Sequence, residues 1–262
     1  MEFTVDGRKV FAATGGRPFD PGLPTIVFIH GAGMDHTVWA LQARYFAHHG
    51  RNVLAVDLPG HGRSDGPGLA SVAEMADWII GLLDAAEVSE AALAGHSMGA
   101  LAALDCAGRS PKRVRALALL GVAPKMPVHP DLLEAAEKDD HLAVELVSSW
   151  GHGAAGHFGG ARAPGLWLMM GGERLLERAA PGVLYRDLAA CNAYADAPAR
   201  AAAVSCPVRL VLGDGDNMTP AKAGRKLAEA FNGAEAIVIP DCGHMMMTER
   251  PDQTLDALKG FL

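Results

Sequence analysis

The chain has 262 residues, half of them hydrophobic and 20% charged, a globular composition long enough to bury a sizeable core. Lys and Arg number 23 against 30 Asp and Glu, a net charge of −7, and no basic run interrupts the sequence. That balance argues against nucleic acid and against an anionic membrane surface as main partners.

The opening Met-Glu-Phe-Thr-Val-Asp-Gly lacks the basic-then-apolar pattern of a secretory leader. No apolar stretch approaches the ~20 residues needed to span a bilayer. Cys106, Cys191, Cys206 and Cys242 are widely spaced and form no Cys-x-x-Cys pair, so they read as reduced, mostly buried thiols of a cytoplasmic protein.

In chain order, 3–5 and 9–12 around Asp6-Gly7 predict an N-terminal hairpin. Residues 25–29 (TIVFI) are a short continuous apolar run, followed by others at 53–56, 91–94, 116–120, 208–212 and 236–239. Runs this short and this apolar suit parallel strands covered by helices on both faces. Helical patterns lie between them at 37–48, 71–86, 98–109, 220–231 and 251–262. The alternation predicts an α/β fold, a doubly wound and mostly parallel sheet. One connection is too long for a loop: 122–207 holds Trp150, Trp167 and Gly-rich joints at 151–160 and 171–172. It is expected to be a helical cap inserted into a core formed by 1–121 and 208–262.

The stretch Leu-Ala-Gly-His-Ser-Met-Gly-Ala (93–100) places Ser97 between Gly95 and Gly99, after a strand and before a helix. A chain that turns from strand to helix at a serine makes a sharp bend, and glycines relieve the crowding where the two elements nearly touch. This is the Gly-x-Ser-x-Gly nucleophile elbow in the context it requires. Such a serine needs an acid and a histidine. The run 208–212 leads into Gly213-Asp214-Gly215-Asp216, and the run 236–239 leads into Pro240-Asp241-Cys242-Gly243-His244. Acid and histidine at the carboxyl ends of the last two strands can converge on a serine at the end of a central one. Both Asp214 and Asp216 are open to the acid role. After the run 25–29 comes His30-Gly31-Ala32-Gly33, whose backbone can serve an oxyanion. The N–H groups of Ala32 and Met98 are the expected pair, the latter at a helix N-terminus.

These motifs, with Asp57-Leu-Pro-Gly-His-Gly-Arg-Ser-Asp at 57–65, span nearly the whole chain. Together they resemble the α/β-hydrolase-fold serine hydrolases, in the subgroup of small lidded bacterial esterases and lactonases. The resemblance favours the fourth position of Gly-x-x-Asp, Asp216, as the acid, and it puts the family's cap at about 122–207. No Asp or Glu occurs between Ala116 and Lys125, so the family's alternative acid position is empty. A serine at the elbow disfavours the family's dehalogenases and epoxide hydrolases, which carry aspartate there.

The implied reaction is hydrolysis of a small-molecule carboxylic ester through an acyl-enzyme, with no cofactor and no metal. Ser97 is the nucleophile, His244 the base and Asp216 its orienting acid. Lactonase, thioesterase, C–C hydrolase, acyltransfer or perhydrolysis chemistry shares the triad. A ligand-binding receptor that hydrolyses little is the alternative of another class, and the intact triad counts against it. His96 is expected to pack, His30 to shape the oxyanion loop, and Asp57, His61, Ser64 and Asp65 to stabilise a turn. His152 and His157 lack a third metal ligand at a suggestive spacing. Within the insertion, Pro164-Gly-Leu-Trp-Leu-Met-Met-Gly171-Gly172 predicts a short apolar helix with proline at its start and a Gly-Gly joint at its end. Trp167, Met169 and Met170, with Trp150, are its candidates for an acyl-facing wall over Ser97, and core packing between cap and sheet is the competing reading.

Overall fold

Strand formation follows the apolar runs closely. In the computed structural model, which describes residues 1–262 apart from 158, 159, 162 and 164, the strands are β1 (Glu2–Val5), β2 (Arg8–Ala13), β3 (Thr25–Ile29), β4 (Asn52–Val56), β5 (Ala91–His96), β6 (Val114–Leu120), β7 (Val208–Gly213) and β8 (Glu235–Ile239). They join in the order β1-β2-β4-β3-β5-β6-β7-β8. The hairpin β1–β2 is antiparallel, as is the β2–β4 pair. From β4 to β8 every pairing is parallel.

The central runs are apolar throughout because both faces of the sheet are covered. Val27 and Ile29 of β3 face one core cluster, and Ile26 and Phe28 face the other. In β5 the same alternation sends Leu93 one way and Ala92 and Ala94 the other. Burying each large aliphatic or aromatic side chain contributes roughly 1.5–3 kcal/mol, so the two faces together fix the register. α2 (Val72–Ala85), α3 (Met98–Arg109) and α9 (Ala221–Ala228) cover the first face. α1 (Ala40–Ala47), α10 (Met246–Glu249) and α11 (Pro251–Leu258) cover the second.

Between β6 and β7 lie α4 (Pro130–Glu137), α5 (His141–Gly151), α6 (Leu168–Leu176), α7 (Val183–Ala193) and α8 (Ala197–Ala203). α8 is a layer of the sandwich: Ala197 and Ala201 are fully buried in the α3 cluster. Arg200 Nε donates to Asp105 Oδ1 of α3 at 2.8 Å. The helix expected to stop at Gly171-Gly172 runs through both glycines to Leu176, while its expected proline, Pro164, lies outside the described residues. The physical reason is packing. A Cβ on Gly172 would stand 3.0 Å from Cε1 of His152, so that glycine allows close approach rather than marking an end. Among the described residues no helix is long and apolar enough to cross a membrane.

Candidate active site

Ser97 follows β5 with φ 54° and ψ −116°, a conformation that costs a non-glycine residue of order 1–3 kcal/mol. Its surroundings enforce it. The Ser97 N–H donates to Leu120 O of β6 at 2.9 Å, and α3 begins at the next residue. A Cβ on Gly95 would collide with the carbonyl of Gly99, and one on Gly99 would reach within 2.5 Å of the carbonyl oxygens of Ile29 and His30. Only glycine fits at either place, which is why the pair brackets the serine.

His244 follows β8, and Asp216 follows β7. His244 Nδ1 lies 2.8 Å from Asp216 Oδ2, with both side chains buried. Thr219 Oγ1 donates to the same oxygen at 2.7 Å, and the N–H groups of Met218 and Thr219 each reach Oδ1 at 2.8 Å. Burial alone would raise the Asp216 carboxyl. The charge and hydrogen bond of His244, with the bonds from Thr219, outweigh it and hold the group below the usual carboxylate range. Asp214 does something else: its Oδ1 accepts the Cys242 N–H at 3.2 Å and so steadies the turn before His244. Among the described residues His244 Nε2 has no hydrogen-bond partner.

The 30–33 loop lies against the elbow. A Cβ on Gly31 would stand 3.3 Å from the Ser97 Cβ and 2.8 Å from His96 Nδ1. His96 Nε2 donates to the His244 carbonyl at 2.9 Å, and burial drives its pKa down to about 3, so it is a neutral strut. His30 Nε2 accepts the Leu58 N–H at 3.1 Å, leaving the ring proton on Nδ1, which donates to Gly31 O at 2.8 Å. Burial, and then the nearby His61, lower His30 to about 4.

A cavity of about 490 Å³ takes in Ser97, His244 and Ala32. Met34, Met126, Val128, Leu132, Val147 and Trp150 make much of its wall. Cys191 also borders it, and burial pushes that thiol's pKa up, so it serves as an apolar surface. Of the four residues expected to line an acyl wall, only Trp150 is among the described lining residues. Trp167, Met169 and Met170 are not among them. Trp167 is 43% exposed at the start of α6, and α6 packs on α5, whose Val147 and Trp150 are the side chains that reach the cavity. Trp150 is held edge-on to His129, ring centroids 5.6 Å apart. Trp150→Ala should therefore shift the preferred chain length across p-nitrophenyl acetate through octanoate, while Trp167→Ala leaves it unchanged. The opposite pattern in kcat/KM would return the wall to α6.

The 57–65 loop braces the sheet edge. Asp57 accepts from the N–H groups of His36 and Arg63, Ser64 Oγ donates to Asp57 O, and Asp65 accepts the Lys9 N–H. Asp35, His36 and Asp57 come close enough to surround an ion, yet their atoms are engaged in these bonds and in the Asp35 cap on Thr37. His152 Nδ1 and His157 Nε2 each donate to a backbone carbonyl. Among the buried acids that escaped sequence reasoning are Glu249 and Asp187. Glu249 Oε2 accepts the N–H groups of Gly153 at 2.9 Å and Gly243 at 3.2 Å, joining the insertion to the His244 turn. Asp187 Oδ2 accepts the Gly33 N–H and pairs with His61 Nε2, each at 2.8 Å. Thr219, three residues after Asp216, was readable as a local turn partner; the buried acids carry no such local signal.

The model of the alpha/beta hydrolase family matches residues 26–257. The dihydrolipoyllysine-residue acetyltransferase component of the acetoin cleaving system of Pseudomonas putida is 30% identical over 247 residues, 90% of this chain; the chain spans 63% of that protein's length. A pimeloyl-(acyl-carrier protein) methyl ester esterase of Chromobacterium violaceum is 32% identical over 255 residues, 91% of this chain and 94% of that protein. The crystal structure of the enol-lactonase from Burkholderia xenovorans superposes with a TM-score of 0.88 at 23% identity, covering 100% of this chain and 99% of that one.

Proposed function

Since this chain belongs to the alpha/beta hydrolase family, we propose that it is a serine hydrolase cleaving a carboxylic ester of a small molecule through an acyl-enzyme. The observation that carries the reading is the 2.8 Å His244–Asp216 contact beside a cavity whose wall includes both His244 and the strained Ser97.

In this mechanism the ester carbonyl sits over Ser97 with its acyl or alcohol part against the Met and Trp150 wall. His244 Nε2 takes the Ser97 hydroxyl proton as Oγ attacks, while Asp216 holds the proton on Nδ1 and balances the imidazolium. The N–H groups of Ala32 and Met98 receive the oxyanion; one such donor is worth about 10²–10³ in kcat. His244 then gives its proton to the departing alcohol. Water, deprotonated by the same nitrogen, releases the acid and restores Ser97. The similarity to a methyl ester esterase supports an ester as the substrate bond.

Mixing the protein with p-nitrophenyl butyrate should release a burst of p-nitrophenol, and a fluorophosphonate probe should label the peptide holding Ser97. A protein that binds esters without turnover and resists the probe would be a receptor on this fold instead.

A further inference from the structure

The oxyanion loop is gripped from the cap. Asp187 belongs to α7, the helix whose Leu188 and Cys191 border the cavity. It is fully buried, and its Oδ2 receives the Gly33 N–H at 2.8 Å and faces His61 Nε2 at 2.8 Å. The other nitrogen of His61 faces the Pro59 carbonyl at 3.1 Å. Burial lowers the His61 pKa, yet the Asp187 charge and its hydrogen bond outweigh that and raise it above the usual imidazole value. Breaking such a buried pair by removing one partner is costly. His61 in turn packs its ring 4.7 Å from that of His30.

Peptide planarity carries this grip to Ala32. The Gly31 carbonyl is held by His30 Nδ1 at 2.8 Å and by the Met34 N–H at 3.2 Å. In a trans peptide the N–H of Ala32 must point opposite to that carbonyl. The following peptide, between Ala32 and Gly33, is fixed by the Gly33 N–H bond to Asp187. Both planes that meet at the Ala32 Cα are therefore pinned, one by His30 and one by the cap.

We propose that Asp187 is a positioning residue for catalysis: by fixing the Ala32–Gly33 peptide, the second of the two planes that meet at the Ala32 Cα, it helps hold the Ala32 N–H in place, so that the cap helix lining the cavity also steadies the oxyanion donor. This rests on the serine hydrolase reading given above. Asp187 touches no reacting atom, so its loss acts on the transition state rather than on substrate capture.

The test compares wild type and Asp187→Asn on p-nitrophenyl esters and with octyl trifluoromethyl ketone. Ser97 Oγ adds to the ketone carbonyl, its proton passes to His244, and the resulting hemiketal oxyanion uses the same donor. The variant should lose about 10- to 100-fold in kcat, a fraction of a full donor. Its KM should move by less than about threefold, and its affinity for the ketone should fall by the same factor as kcat. A lowered Tm with unchanged kcat and ketone affinity per folded molecule would make Asp187 a purely structural clamp and overturn the proposal, as would a rise in KM alone. Should Asp187→Asn not fold, His61→Gln decides the matter: it keeps an N–H for Asp187 and should lose about two- to fivefold in the same two quantities, and no loss overturns the proposal. If wild type neither hydrolyses esters nor is labelled at Ser97, the reading of the site falls and this inference with it. If wild type does both and the variants match it, only this inference falls.

Discussion

Replacing Ser97 by alanine should lower kcat for ester hydrolysis by a factor of about 10⁴ or more while the fold survives. In the proposed mechanism the side chain supplies the attacking oxygen, and among the described residues no other hydroxyl at the cavity shares the elbow position. The backbone that bends the elbow does not depend on the hydroxyl, because the Ser97 N–H to Leu120 O bond and the paired glycines persist in the variant. Alanine is about as strained as serine at φ 54°, so the melting temperature should stay near that of wild type. What activity remains comes from the oxyanion donors and from binding. Initial rates on p-nitrophenyl esters and a circular-dichroism melt check both halves. An alanine variant that keeps most of the wild-type rate would end the acyl-enzyme mechanism.

The second large effect belongs to the acid. Asp216→Asn should cut kcat by on the order of 10³–10⁴, because the amide NH₂ would face His244 Nδ1 and drive the ring proton to Nε2, where it blocks general-base action. The N–H groups of Met218 and Thr219 would still find an oxygen on residue 216, so the turn should hold. Asp214→Asn retains an acceptor for the Cys242 N–H and should change kcat by less than about threefold. The reverse ranking would transfer the acid role to Asp214, two residues earlier on the same loop.

What could be read from the chain alone was whatever is enforced within a few residues. The elbow is such a case: the crowding that selects Gly95 and Gly99 is set by the strand, the bend and the helix that follow one another directly. The strands were legible because burial on both faces leaves no polar position in a run such as 25–29. The wall of the cavity was not. Apolar composition marks Trp150 and Trp167 alike, and only the packing of α6 on α5 decides which one meets the cavity. Much of the remaining wall comes from 126–129, a connecting stretch with no helical or alternating period to betray it, and from Leu132 of α4. Asp187 was invisible for a different reason. Its partner amide on Gly33 is 154 positions away, and a lone acid in an amphipathic helix looks like any solvent-facing one.

The sheet order distributes the site over elements of unequal protection. Ser97 directly follows β5, a strand hydrogen-bonded on both sides by β3 and β6, whereas β8 is an edge strand paired only with β7 and partly exposed along most of its length. Backbone amides at such an edge open by local fluctuations, and those of a central strand exchange with solvent only when the whole domain opens. His244 follows β8 by a short turn, so fraying of that strand would displace the proposed general base while the proposed nucleophile, Ser97, stays in place. Deuterium uptake would enter the β8 flank long before β5. On warming, loss of turnover would accordingly run ahead of loss of the cooperative core, with an interval in which the protein is folded, inactive and able to recover on cooling.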